Sequence, residues 1–146
     1  MTLNLKMKRF CFLLCCFLLS VSSNFSQNCS GLVEICKNNL TLGNPKFLSD
    51  GQVYSVFLDR EKSEFKTTFF GKSTYRISVS AGNSDNYVIF TVKDLSGNVI
   101  FSNKNYDNAP YWDFVVPETL PVLIETELDI NKKNAGCVVM LIGFIQ

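Results

Sequence analysis

From residue 50 onward, apolar and polar positions alternate with a period of two, the spacing that turns one face of a strand to a core and the other to water. The clearest case is 87–101. Val88, Phe90 and Val92 alternate with Tyr87, Ile89 and Thr91, and a second apolar run, 99–101, follows Leu95, Ser96, Gly97 and Asn98. This pattern predicts a β-hairpin in which Asp94 bonds back onto the turn, Gly97 takes the sterically demanding position and Asn98 tolerates left-handed backbone. Residues 52–58 and 64–70 are two further strands around the charged tip 59–63, with Phe65, Thr67 and Phe69 on one face. In 74–80, Tyr75, Ile77 and Val79 oppose Arg76, Ser78 and Ser80, the form of a strand with one wet face. Residues 111–116 put Trp112, Phe114 and Val116 on one face, 117–121 is a proline-bracketed turn, and 122–128 alternates again.

The last run, 136–145, is apolar without alternation. That predicts either a central strand covered on both sides or a strand whose open face takes the N-terminal helix; the second is preferred, because the helix needs an apolar surface on which to bury its own stripe. The helical candidate is 30–40, where Ser30 can cap, Glu34 lies in the early turns, and Leu32, Ile35, Cys36 and Asn39 or Leu40 share a face. Gly43 and Pro45 end it. About eight strands separated by turns at roughly 8–12 residue intervals predict a mostly β protein, an antiparallel β-sandwich of jelly-roll type with one short N-terminal α-helix. A closed barrel is the alternative architecture.

Charge and cysteine usage place this sandwich outside the cytoplasm. Lys6, Lys8 and Arg9 precede an apolar stretch, 10–19, that is short for a membrane span, and 20–27 is small and polar. Residues 1–26 therefore read as a secretory signal that is removed, leaving 27–146 as one domain. The leader holds three basic residues and no acidic one, so the precursor's net charge of +1 becomes −2 after cleavage. With both signs scattered, nucleic acid is not an expected partner, and no later stretch is long enough for the mature chain to insert in a membrane. Of six cysteines, Cys29, Cys36 and Cys137 remain. In a secreted or periplasmic setting one disulfide is expected; Cys29 to Cys137 ties the chain's start to its last strand, and Cys36 to Cys137 is the alternative.

Candidate chemistry is sparse. The chain contains no histidine, which removes the commonest general base, the commonest zinc ligand and the usual serine or cysteine triad. No cofactor or metal is expected: the stretch 129–134 approaches a calcium loop, but Lys133 replaces an oxygen ligand and no bidentate Glu follows, so it reads as a polar hairpin loop. Asp107 and Asp113 are the carboxylates from which an acid/base pair could be assembled. Asn28 and Asn39 begin glycosylation sequons. The stretch 103–113 has the composition of a recognition loop, with Tyr106, Tyr111 and Trp112 among Asp107, Asn108 and Asp113. Tyr106, Asp107, Asn108 and Tyr111 are the candidate ligand-binding residues, suited to a carbohydrate or a protein; the competing reading makes Trp112 core and the tyrosines its lids.

The succession of a helix starting at a Cys, then DGQVYSVFL (50–58), EFKTTFFGKSTYRISVSAG (64–82), YVIFTVKDLSGNVIFSN (87–103), APYWDF (109–114) and GCVVMLIGF (136–144), resembles small exported bacterial β-sandwich proteins of unknown function. More loosely, the strands around Tyr75, Arg76 and Ile77 and around Trp112, Asp113 and Phe114 are similar to those of bacterial pre-peptidase C-terminal domains and of the lumenal GOLD domain. Those resemblances imply a sandwich module that binds or assists and does not catalyse. The expected function is that of an exported, non-catalytic binding or accessory protein. A self-assembling envelope subunit and a carboxylate-dependent hydrolase are the alternatives.

Overall fold

The computed structural model describes residues 29–83 and 86–145; the expected leader, 1–26, lies outside the described residues. Helix α1 (Ser30–Thr41) is followed by nine strands: β1 (Leu48–Ser49), β2 (Tyr54–Asp59), β3 (Lys62–Phe69), β4 (Ser73–Ser80), β5 (Val88–Lys93), β6 (Val99–Ser102), β7 (Tyr111–Val116), β8 (Leu120–Leu128) and β9 (Ala135–Ile145). A 3-10 turn, Asn103–Tyr106, joins β6 to β7.

The strands form two antiparallel sheets. In the first, β9 lies beside β4 and β4 beside β7, while β2 and then β1 pair along the other side of β9. The second runs β3-β8-β5-β6. Among the described residues, the only hairpin closed within one sheet is β5–β6, where Asp94 Oδ1 accepts from the amides of Ser96 and Asn98, both at 2.9 Å, and Gly97 adopts φ +87°. Bonds from the Asn98 side chain and then from these amides hold the Asp94 carboxyl below the usual carboxylate range. From β2 to β5 and from β6 to β9, every connection instead passes from one sheet to the other. The loop after Asp129 is therefore not a hairpin loop: it carries the chain from β8 in one sheet to β9 in the other.

Between the sheets, Ile77 and Val79 of β4 and Val138, Met140 and Ile142 of β9 meet Phe90 and Val92 of β5 and Val122 and Ile124 of β8, all buried. The opposite face of β9 is buried as well, because Val139 and Leu141 receive helix α1. That explains the missing alternation in β9, and it corrects the expectation for β4. Arg76, Ser78 and Ser80 are buried, not wet, because α1 lies over this sheet and packs against β4 as well as β9.

Three local expectations also change. Cys29, not Ser30, is the residue before the helix, and its side chain, taken up in the disulfide with Cys137, makes no capping hydrogen bond. The buried stripe of α1 is Cys36 and Leu40, with Leu32 and Val33 beside them; Ile35 is half-buried and lies outside this cluster. The helix is turned this way because its start is tethered by the Cys29–Cys137 disulfide, Cα–Cα 5.8 Å, and its last turn by Arg76. Finally, β8 begins inside the expected 117–121 turn, with Pro121 opposite Thr68. Strand β5 reaches only to Leu123, so among the described residues β8 has a single neighbour at Pro121, a position where strands accept proline.

Cys36 stays outside the disulfide, and its thiol donates to the Val139 carbonyl at 3.5 Å. Closing a loop of 108 residues restricts the unfolded chain, an effect worth up to about 4–5 kcal/mol.

Candidate functional site

Where β6 ends, its place beside β5 is taken by a side chain. Asn103 is fully buried; its Oδ1 accepts from the Phe90 amide at 2.8 Å and its Nδ2 donates to the carbonyls of Val88 and Ala109 at 2.9 and 3.0 Å. The turn that follows is closed by the Asn108 amide on the Asn103 carbonyl and the Ala109 amide on the Tyr106 carbonyl, both 3.1 Å. Asp107 and Asn108 both have left-handed backbone, φ 54° and 52°, which Asp and Asn tolerate better than other residues with a Cβ. Asn108 is buried and donates through Nδ2 to Asp129 Oδ2 at 2.8 Å and to the Asn86 carbonyl at 3.2 Å. The bond from Asn108 is the first reason that the Asp129 carboxyl sits below its ordinary range.

This frame presents Tyr106 as the outermost ring of a stack. Its centroid is 4.3 Å from Trp112 and 5.6 Å from Phe101, and its side is half exposed, at 50%. Phe101 in turn lies 4.9 Å from Trp112, and Phe114 meets it edge-on at 5.1 Å. Asp107 is solvent-exposed at the same rim, accepting from Asn86 Nδ2 at 3.2 Å with Lys132 Nζ at 3.7 Å. The four candidate residues thus divide. Tyr106 and Asp107 share the rim, Asn108 is buried and bonded beneath them, and Tyr111 lies on the opposite face of β7 from Trp112, as period-two alternation requires.

On that opposite face, Tyr111 belongs to a different construction. The Arg76 guanidinium lies 4.7 Å from the Tyr111 ring and 4.2 Å from the Phe47 ring. It donates to both Asp113 carboxylate oxygens at 2.6 and 2.9 Å, and to the carbonyls of Asn39 and Leu42 at the end of α1, each at 2.8 Å. The bonds to Asp113 hold the guanidinium still more firmly in its charged form. This is a helix C-terminus fastened to a sheet. Asp113 is engaged there while Asp107 is engaged with Asn86 and Lys132, so the two carboxylates do not converge as an acid/base pair. Among the described residues, no group of three or more His, Cys, Asp or Glu side chains is placed to hold a metal ion.

The aromatic stack continues into a cavity that the sequence reading missed. Phe69, Val92, Ile100, Phe114, Val116 and Leu120 line a space of about 360 Å³ beside β6 and β7, the last strands of their sheets on this side. Beside it Ile100 and Val115 stand in solvent, Val115 at 80% exposure. Its apolar lining is visible in the sequence only as ordinary core positions; among the described residues neither β6 nor β7 has a further strand to close over it.

No family model matches the chain, and no curated protein is significantly similar to it. The resemblance to pre-peptidase C-terminal and GOLD domains is thus not supported beyond the fold class. Among solved structures the chain is similar to Aeromonas hydrophila PliG, a periplasmic lysozyme inhibitor of g-type lysozyme, at 13% sequence identity and a TM-score of 0.49, over 64% of this chain and 85% of that one. An overlap of that order does not carry function from one chain to the other.

Proposed function

We propose that this chain is an exported, non-catalytic binding protein that takes a protein or peptide ligand on the β6/β7 side of its sandwich. The observation that carries the reading is the half-exposed Tyr106 at the head of the Phe101–Trp112 stack, adjoining the apolar cavity bordered by Ile100 and Phe114. An aromatic anchor backed by fixed rings loses little conformational freedom on binding, and exposed apolar groups such as Val99, Ile100 and Val115 are the kind a partner covers. Asp107 supplies a polar group at the rim. Asn108 and Tyr111 act in this reading by holding the loop and strand that present Tyr106 and Asp107. The disulfide supports export, since such bonds persist in oxidising compartments.

The test is a screen of envelope peptides and glycans followed by calorimetry with Tyr106→Ala/Asp107→Asn. A peptide hit whose binding is lost in the double variant, with the melting temperature lowered by only a few degrees, supports the reading. Binding unchanged in the double variant places the site elsewhere.

A self-assembling subunit is the second reading, favoured by the edge position of β7. Its pairing with β4 leaves the other side of Tyr111, Asp113 and Val115 without a strand partner among the described residues. Sedimentation that shows a concentration-dependent dimer, abolished by Val115→Lys, would select it.

A further inference from the structure

The other side of the sandwich, where β2 and β3 are the edge strands, carries a groove of different character. Two cavities open there, of about 310 and 290 Å³, and Tyr54 lines both. Tyr54 is stacked on Phe65 with centroids 4.3 Å apart and planes 18° from parallel, so an aromatic pair divides the groove in two. In the first compartment Asp50, Gln52 and Thr67 stand around an apolar floor that includes Phe69, Tyr75 and Phe144. In the second, Ser55, Ser63 and Thr126 stand around Val138 and Met140.

The chemistry of these walls is specific. Asp50 is the one acidic residue of either lining, and neither includes a basic one. Asp50 Oδ1 accepts from the Gln52 amide at 2.9 Å, leaving Oδ2 with only a long, 3.5 Å contact to the Tyr54 hydroxyl. Among the described residues, the Gln52 side-chain amide and the Thr67 hydroxyl make no hydrogen bond, although Thr67 is half-buried and faces inward with Phe65 and Phe69. A wholly apolar occupant would strip water from these groups without replacing its bonds. An anion would meet Asp50. What suits flat rings next to a carboxylate, an amide and hydroxyls is a neutral ligand with an apolar face and hydroxyls around its edge.

We infer that the β2/β3 groove binds a neutral saccharide chain, with one sugar ring on each side of the Tyr54–Phe65 pair. Each compartment is at the small end of the range for ligand sites, which matches one ring apiece and not a larger single molecule. The site is separate from the Tyr106 surface, and neither depends on the other.

Titration of ¹⁵N-labelled protein with cellobiose, maltose and N,N′-diacetylchitobiose, with glucose as the single-ring control, tests it. The expected result is saturable amide shifts around Gln52, Tyr54, Ser63 and Thr67 with at least one disaccharide, and weaker binding of glucose. Thr67→Val, which keeps the side chain's shape, combined with Gln52→Ala at an exposed position, should weaken that binding about tenfold while leaving the dispersed spectrum of the fold intact. No saturable shift with any of the three disaccharides overturns the inference. So do shifts confined to the Tyr106 side, or a double variant that folds and binds as wild type.

Discussion

Arg76 is the residue on which removal should reveal how the helix is held. Replacing it by Met keeps a buried stem of similar reach and deletes only the guanidinium. Four hydrogen bonds are lost: two to Asp113, at 2.6 and 2.9 Å, and two to the carbonyls of Asn39 and Leu42, at 2.8 Å. The Asp113 side chain is 41% exposed, so water can replace the arginine there and that half of the loss is discounted to about 1 kcal/mol. The two helix carbonyls lose charged donors beneath α1, at about 1 kcal/mol each, and loss of the cation from between Phe47 and Tyr111 adds about 0.5–1 kcal/mol. The expected cost is therefore about 3.5–4 kcal/mol, or a melting temperature lower by roughly 15 °C. Asp113→Asn should cost only about 1 kcal/mol, because the helix carbonyls keep their donor. Equilibrium urea unfolding of both variants decides, and hydrogen exchange should show α1 amides opening more often in Arg76→Met than those of β5 or β8. A loss below about 1 kcal/mol for Arg76→Met would mean that desolvation of the guanidinium, 7% exposed, cancels its bonds, and the reasoning would fail.

Three further expectations follow, two from the helix seam and one from the outer face of the second sheet. A Cβ on Gly143 would lie 3.0 Å from Leu40 Cδ2 and Phe47 Cβ and 3.1 Å from the Leu48 carbonyl, so Gly143→Ala should destabilise by about 1–3 kcal/mol. Leu40→Ala should cost about 2–4 kcal/mol and the half-buried Ile35→Ala clearly less; equal losses in urea unfolding would place the buried stripe wrongly. Glu125 accepts from Lys62 and Lys93, each at 2.8 Å, and bonds from Lys62 first and Lys93 second depress its carboxyl below the ordinary value. A folded-state value below the unfolded one makes this contribution complete above the unfolded Glu range, about pH 4–5, and lost as pH falls through the folded value. Glu125→Gln should therefore lower stability at pH 7 and narrow the gap to wild type at pH 3; a gap that stays constant across thermal melts at the two pH values would refute the assignment.

Much of the architecture is legible in the residues alone because it is set by neighbours two to four positions apart. Alternation marks β5 and β7, Asp94 and Gly97 mark the β5–β6 hairpin, and the loss of alternation in 136–145 announces a strand covered on both faces. The pairing of Cys137 with Cys29 is also within reach, though Cys36 competes for it. What the residues could not decide is which surface each element meets. Arg76, Ser78 and Ser80 have the polarity of a wet face, and only the helix laid across β4 and β9 buries them. Ile35 satisfies a helical stripe as well as Val33 does, and the tethers at Cys137 and Arg76 choose between them. In the loop 103–111, composition groups Tyr106, Asp107, Asn108 and Tyr111, although alternation along β7 already separates Tyr111 from Trp112. Burial of Asn103 and Asn108 has no periodic signal, because their partners, Phe90, Val88, Asn86 and Asp129, come from elsewhere in the chain. The groove between β2 and β3 and the cavity beside β6 and β7 are further removed still: each is a property of the edges of two sheets, and edges exist only once the crossovers have assigned every strand to its sheet.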